Sequence, residues 1–489
     1  MTATAARVRP ALVAGATGTA AVVGAAAVYQ PELTLAALLT FALGIALARQ
    51  PQAAVLVVVL LVWLNLPGLG VKEYDVPRMA GAVFPAVLVF PVAVRVFAGK
   101  PFELDRPLML LLVLLGVQLV GTALSDHVAE ALDNTLTFAV EGVLIYALVL
   151  NSVESFRLLR RALWVILGAA AFMSSIAIFQ MVTGSWLDSF GGLAQVNAGY
   201  LRNPETTARA AGPIGDPNYF AQILVPAVAI GCVAFGRESP RLRLLAMSMT
   251  WVVATGILLT YSRGAIITLA FLFVAMVTFG YVRARWLVTL AAVVPLVAVM
   301  VPAYTERVQS VASAIGGAGE QSGSNRQADV ATQGRVGEVK TAAYVFVDHP
   351  IIGVGPGVFP LYYQDYADRH GIEAHDRSFV ESRLGELPPR QAHNMPIAIA
   401  ADLGLTGLAV MTWLFAAVLW ALSRARWRSH LALSDAATAL LLAVGSYLVA
   451  GLFLTLAFER YLWLLVALGG VAVRLSLTTR RTNSATRSS

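Results

Sequence analysis

Three residues of a strongly apolar chain carry side chains suited to a charged substrate: Arg263 in TYSRGA, Arg335 in QGRVGEV and His393 in QAHNMPIAIAADLGLTGL. A guanidinium is a planar fork that can hold two phosphate or carboxylate oxygens at once, and an imidazole titrates near neutrality and can take a proton from a hydroxyl. Each also has a plainer reading. Arg263 sits between two apolar runs, where a charge costs on the order of a few kcal/mol unless it faces a polar cavity or snorkels to the interface. Arg335, with Glu338 and Lys340 close by, has the look of a surface arginine, and a lone histidine at a helix start is commonly a cap or a hydrogen-bonding residue. In GPIGDPNYFAQ, Asp216 and Pro217 are expected as the cap and first-turn residue of a helix, which leaves Asn218 as a residue that could line a site. Arg209, just before that motif, could contact phosphate or simply lie at the surface.

Two further groups suggest chemistry and are better read without it. Asp365, Asp368, His370, His375 and Asp376 are metal-type ligands with no defined ligand spacing, which favours a solvated loop. Tyr362, Tyr363 and Tyr366 could stack on sugar rings or pack the loop onto the membrane interface.

The elements that must position these residues follow from composition. Of 489 residues, 58% are hydrophobic and 13% charged, and the mean hydropathy is +0.72, a balance foreign to water-soluble domains of this length. Apolar runs long enough to cross ~30 Å of hydrocarbon recur along the chain. Fourteen candidate spans emerge: 11 to 29, 33 to 48, 53 to 66, 79 to 98, 107 to 124, 132 to 150, 162 to 182, 217 to 236, 243 to 260, 264 to 282, 286 to 302, 394 to 420, 436 to 457 and 460 to 474. The pair 33 to 48 and 53 to 66 is short enough to be a re-entrant hairpin, so the expectation is an all-α polytopic membrane protein of about 12 to 14 transmembrane helices. The first run is expected to be a retained span, since no convincing cleavage site follows it. The single cysteine, Cys232, excludes an intramolecular disulfide and a cysteine metal cluster.

With the N-terminus in the cytoplasm, 21 of the 35 Lys and Arg fall on the inner side, and 8 of the other 14 sit in one long loop to which the positive-inside rule does not apply. Both termini are therefore expected in the cytoplasm, and the net charge of +7 reflects membrane orientation instead of nucleic-acid binding. The expected organisation is N-terminal transmembrane helices over 1–302, a large extracytoplasmic loop over 303–391, C-terminal transmembrane helices over 392–475 and a cytoplasmic tail over 476–489. Within the loop, Ile315 to Gln333 reads as a mobile lid or linker, Arg335 to Val347 as a short helix, and IIGVGPGVF as a glycine turn.

Read in order, GPIGDPNYFAQ at 212 to 222, TYSRGA at 260 to 265, GRVGEV followed by DHPIIGVGPGVF at 334 to 359, and HNMPIAIAADLGLTG at 393 to 407 resemble the O-antigen ligase and polymerase superfamily. The resemblance covers about residues 200 to 420. It departs at Val339, where the family often has an aromatic, and at Pro396, which a first helical turn tolerates. The resemblance implies a multi-pass inner-membrane enzyme with a GT-C-like arrangement and a long periplasmic loop. Its donor would be a glycan on undecaprenyl diphosphate and its acceptor a hydroxyl of a glycan or lipid, with no metal and no cofactor. It further implies that Arg263 and Arg335 hold the donor diphosphate and that His393 is the general base of an inverting displacement, with Asn218, Asn394 and Arg209 as residues that could line the site. Ligase and polymerase share this chemistry. A non-enzymatic transporter of lipid-linked sugars is the rival class, and it would more naturally show repeated halves and mid-membrane acids, of which Glu141 is the chief isolated example.

Overall fold

The computed structural model describes residues 50–76, 84–197, 200–201, 208–283, 285, 323–372 and 390–485. The expected spans 11 to 29, 33 to 48 and 286 to 302 lie outside them. In chain order the helices are α1 (Pro51–Trp63), α2 (Leu66–Glu73), α3 (Val89–Phe97), α4 (Arg106–Leu124), α5 (Val128–Phe138), α6 (Ile145–Ser152), α7 (Phe156–Thr183), α8 (Pro217–Val233), α9 (Pro240–Leu259), α10 (Arg263–Thr278), α11 (Gly323–Asp348), α12 (Phe359–Arg369), α13 (Met395–Arg428), α14 (Leu431–Ala450) and α15 (Arg460–Ala485). A two-residue strand at Gln195–Val196 pairs antiparallel with Ala210–Gly212. The protein is an all-α polytopic membrane protein: among the described residues, seven helical stretches are long and apolar enough to cross a bilayer, and the bent pair α1 and α2 would make an eighth.

Several starts and stops follow from local chemistry. Asp105 caps α4 by accepting from the Leu108 amide at 2.9 Å, Ser155 caps α7 through Leu158, and Asp216 caps α8 by accepting from the amides of Asn218 and Tyr219 at 2.7 and 3.0 Å. Pro217 follows at the first helical position of α8, where its missing N–H costs nothing. The bundle interior is close-packed: α8 lies against α14 and α9, α7 against α9, and α15 against α14 and α6, with Trp463, Tyr447, Tyr461 and Phe220 fully buried. Small residues such as Gly231, Gly256 and Gly470 allow these approaches, since an added Cβ would meet Thr250, Ser174 and Tyr146 at 1.9, 2.4 and 2.5 Å.

The structure differs from the hydropathy reading in four places. The run 79 to 98 gives, within the described residues, a 3₁₀ turn at Phe84–Leu88 and the nine-residue α3, too short to span. The run 53 to 66 becomes α1, which bends by 51° into α2. The run 436 to 457 stops being helical at Ala450, because the carbonyls of 451–455 are used elsewhere. Gly451 O takes the Met395 amide at 2.7 Å, Leu452 O the Asn394 amide group at 3.1 Å, and Thr455 O the Tyr219 hydroxyl at 3.3 Å. Finally, the expected lid over 315–333 contributes its second half to α11, a 26-residue helix from Gly323, while 315–322 lie outside the described residues.

Candidate functional site

The site is built around a break in α13. Gly404 takes φ 63° and ψ −164°, a region open only to glycine, so α13 is a short helix (395–403) set on a long one (405–428). The gap is filled by the glycine turn. Leu405 and Thr406 donate their amides to the carbonyls of Pro350 and Ile351 at 2.8 and 3.2 Å. Val354 and Gly355 return theirs to Ala401 and Asp402 at 3.1 and 2.9 Å, and the Asp402 carboxylate accepts from the Phe359 amide at 3.0 Å. Backbones approach so closely that a Cβ on Gly353 would sit 2.4 Å from the Asp402 carbonyl. A satellite core of Ala342, Val345, Val358, Phe359, Tyr363 and Ala398 then seals α11 and α12 onto the first, short part of α13.

This docking brings the motifs together. Asn394 caps α13, its side-chain oxygen accepting from the Ile397 amide at 3.2 Å, so the cap is the residue after His393 and the histidine is left for other work. His393 is in the left-handed region at φ 46°, which costs a non-glycine residue about 1–2 kcal/mol. Its Nδ1 lies 2.7 Å from Glu338 Oε2 of α11 and 3.0 Å from the Gln391 carbonyl. The Arg390 guanidinium is 3.4 Å from the other oxygen of Glu338. Glu338 is 4% exposed, whereas the side chains of His393 and Arg390 keep 29% and 28%.

Gln391 extends the set towards α8, accepting the Tyr219 hydroxyl at 2.8 Å through Oε1. The charges of Glu459, Asp216 and Arg335 all act on that hydroxyl, which puts the loop arginine in the same neighbourhood. Arg335 itself is exposed, one helical turn before Glu338 on α11. Arg263 is the first residue of α10, half-buried, after a turn in which Tyr261 is left-handed at φ 50°. The start of α10 abuts the loop that carries Leu452 and Thr455, with a Cβ on Gly264 falling 3.2 Å from Phe453 and 3.3 Å from the Gln222 amide nitrogen. Arg209 ties two motifs together: its Nε donates to the Thr260 carbonyl at 2.8 Å and its Nη2 to Asn218 Oδ1 at 3.1 Å.

Sequence reasoning missed Glu338 as a partner of His393, Tyr219 and Gln391 as links between α8 and the histidine, and the loop 451–459 as the floor beneath them. Only Glu338 carried a local signal, as a carboxylate one turn after Arg335. Burial pushes the Glu459 carboxyl up to about 7, against the pull of neighbouring Arg460. Glu141 proves not to be isolated, because a π-helical turn at Ala139–Leu144 presents it to Arg460 at 2.8 Å. Of the aromatics, Tyr363 and Tyr366 are each 4% exposed and belong to the satellite core, and Tyr362 donates to Asp126 at 2.8 Å, so packing uses them. Asp365, Asp368 and His370 line or follow α12, and His375 and Asp376 lie outside the described residues.

Residues 248–412 match the family model for O-antigen ligase. That stretch, 165 of the 489 residues, is similar to the O-antigen ligase family. The matched stretch starts inside α9 and ends inside α13, so it takes in TYSRGA, the loop arginine, the glycine turn and the His-Asn pair, while GPIGDPNYFAQ precedes it. Comparison with curated proteins gives no match. The multi-pass membrane setting follows from the long apolar helices.

Proposed function

We propose that the protein is a glycosyltransferase that moves a glycan from undecaprenyl diphosphate to an acceptor hydroxyl on the outer face of the inner membrane, with inversion at the sugar C1. The observation that carries this reading is the state of His393. Both neighbours of Nδ1, a carboxylate oxygen and a backbone carbonyl, are acceptors, so Nδ1 must carry a proton, and in the neutral ring the lone pair is on Nε2. A histidine held in that form at the mouth of a membrane bundle is equipped to take a hydroxyl proton.

The step balances simply. The acceptor oxygen bonds to C1 as its proton passes to His393 Nε2, and the C1–oxygen bond to the diphosphate breaks with its electron pair going to the leaving group. Charge grows on the diphosphate, where guanidinium forks act with little reorganisation. Arg263 and Arg335 are the proposed forks, and Asn218 and Asn394 are the residues proposed to line the site with them. Arg209, spent on Thr260 and Asn218, serves better as a strut than as a phosphate ligand. In this scheme the loop 303–391 and the start of α13 face outwards and both termini face the cytoplasm. Reporter fusions should therefore give an outside signal at Gln321 and an inside signal at Arg426, and the reverse would remove the site from the donor's side.

The decisive experiment is His393→Ala in reconstituted membranes with a purified lipid-linked glycan. Transfer should fall by the ~10² to 10⁴ typical of a lost general base while donor binding, assayed separately, persists. Equal loss of both would make His393 a phosphate ligand or a structural residue and leave the base unassigned.

A further inference from the structure

The structure assigns Glu338 as the positioning residue of His393: its carboxylate accepts the Nδ1–H and thereby fixes the tautomer and ring orientation that aim Nε2 at the acceptor. This rests on the reading of His393 as the base. Three observations carry it. The contact is short, 2.7 Å, and is made by the oxygen that Arg390 does not hold. Glu338 is 4% exposed, so little water competes for the bond. His393 keeps a left-handed backbone at φ 46° that turns its ring back towards α11, and the surrounding contacts must hold it there.

The geometry explains why one loop helix serves two groups. Arg335 and Glu338 are three residues apart on α11 and so lie on one face. Packing of α11 against α13, sealed by the satellite core, holds the proposed phosphate fork and the carboxylate that orients the base on one helix. A donor bound by Arg335 would stabilise the docked helix and with it the productive histidine. Gln391 O can hold Nδ1–H alone, at 3.0 Å, but a backbone carbonyl two residues away leaves the ring free to swing. The carboxylate adds the charge that stabilises the imidazolium as the proton arrives.

The charged and titratable groups around the pair are Glu338 and, one turn earlier, Arg335 from α11, Arg390 from the segment before α13, Tyr363 from α12 beside Glu338 and Arg390, and Tyr219 from α8 through Gln391. Glu338→Gln removes one negative charge from this set and nearly preserves shape. Its amide can flip and offer N–H to Nδ1, which would select the wrong tautomer. We expect kcat to fall by about 10- to 1,000-fold, short of the ~10⁴ lost when the carboxylate of a serine-protease triad is neutralised. Donor KM should change less than about threefold, and the acid limb of the pH–kcat profile should move to lower pH, because an imidazolium without its carboxylate is easier to deprotonate.

His393→Ala is run beside it. If that variant transfers normally, the histidine reading itself fails. If His393→Ala is inactive while Glu338→Gln keeps kcat within twofold and its acid limb in place, the positioning role alone is overturned. A rise in donor KM with kcat unchanged would overturn it too, since that marks a latch for the loop. Should Glu338→Gln not accumulate in membranes, Glu338→Asp replaces it. Withdrawing the carboxylate by one methylene breaks the contact and keeps the charge, so a lowered kcat with an unmoved acid limb supports the proposal and a wild-type kcat overturns it.

Discussion

The two ends of the same helices are finished in different ways. At one end, where α8 stops and α14 and α7 begin, charges are matched directly: Arg237 pairs with Asp435 at 2.6 Å, Lys100 with Glu154 at 2.7 Å, and Arg160 with Glu238. At the other, where α8, α10, α13 and α15 begin, the chain departs from regular structure at Tyr261, His393 and Gly404 and holds those departures with bonds between residues far apart in sequence. One end closes a bundle, and the other stores strain where the family match and the proposed chemistry coincide. Substitutions should separate the two.

The largest expected effect is at the arginines of the strained end. Arg263→Ala and Arg335→Ala should each abolish transfer, and Lys at either position should restore little, because an ammonium is a point charge where a fork meets two oxygens. Arg237→Ala, at the paired end, should leave kcat unchanged and cost only stability. Glycan transfer in reconstituted membranes checks all of these, and near-normal transfer by both Ala variants at the strained end would dissolve the contrast.

Next in size is the break in α13. Gly404→Ala places a Cβ 2.3 Å from the Ile351 carbonyl carbon and asks alanine for a backbone region it avoids. The glycine turn must move, so transfer should drop at least about tenfold and proteolysis should reach residues 350–358, while thermal unfolding of the bundle shifts by only a few degrees. Gly445→Ala is the comparison: nothing lies within 4 Å of its added Cβ, and it should be silent in both assays.

What the sequence made legible divides along the same line. The bundle reads from hydropathy because burial in lipid demands apolar runs, and α4, α7, α9 and α15 begin within six residues of the expected positions. Hydropathy fails at 451–459, where the carbonyls of Gly451, Leu452 and Thr455 accept from Met395, Asn394 and Tyr219 instead of extending α14. Motif spacing singled out Arg263, Arg335 and His393 as candidates, but no local rule pairs His393 with Glu338, 55 residues away, or Arg209 with Thr260. Those are tertiary facts, created when the glycine turn fills the gap at Gly404.

The smallest effect, and the finest test of the comparison, is at Asp216. It stands at the strained end and yet has the geometry of an ordinary cap, one carboxylate oxygen accepting two amides at 2.7 and 3.0 Å. A cap is worth about 1 kcal/mol and needs only an acceptor, which asparagine also supplies. If Asp216 only starts α8, Asp216→Asn should match wild type in melting temperature and in kcat. Asp216→Ala should then lower thermal stability by about 1 kcal/mol and reduce transfer no more than a few-fold, through slack in Asn218 and Tyr219. If the carboxylate works in the reaction, its charge matters and Asn is no substitute: kcat would fall with the melting temperature unchanged. The first pattern would show that even the end given the proposed chemistry is framed by the same capping that closes the other, and the second would add a carboxylate to the proposed site.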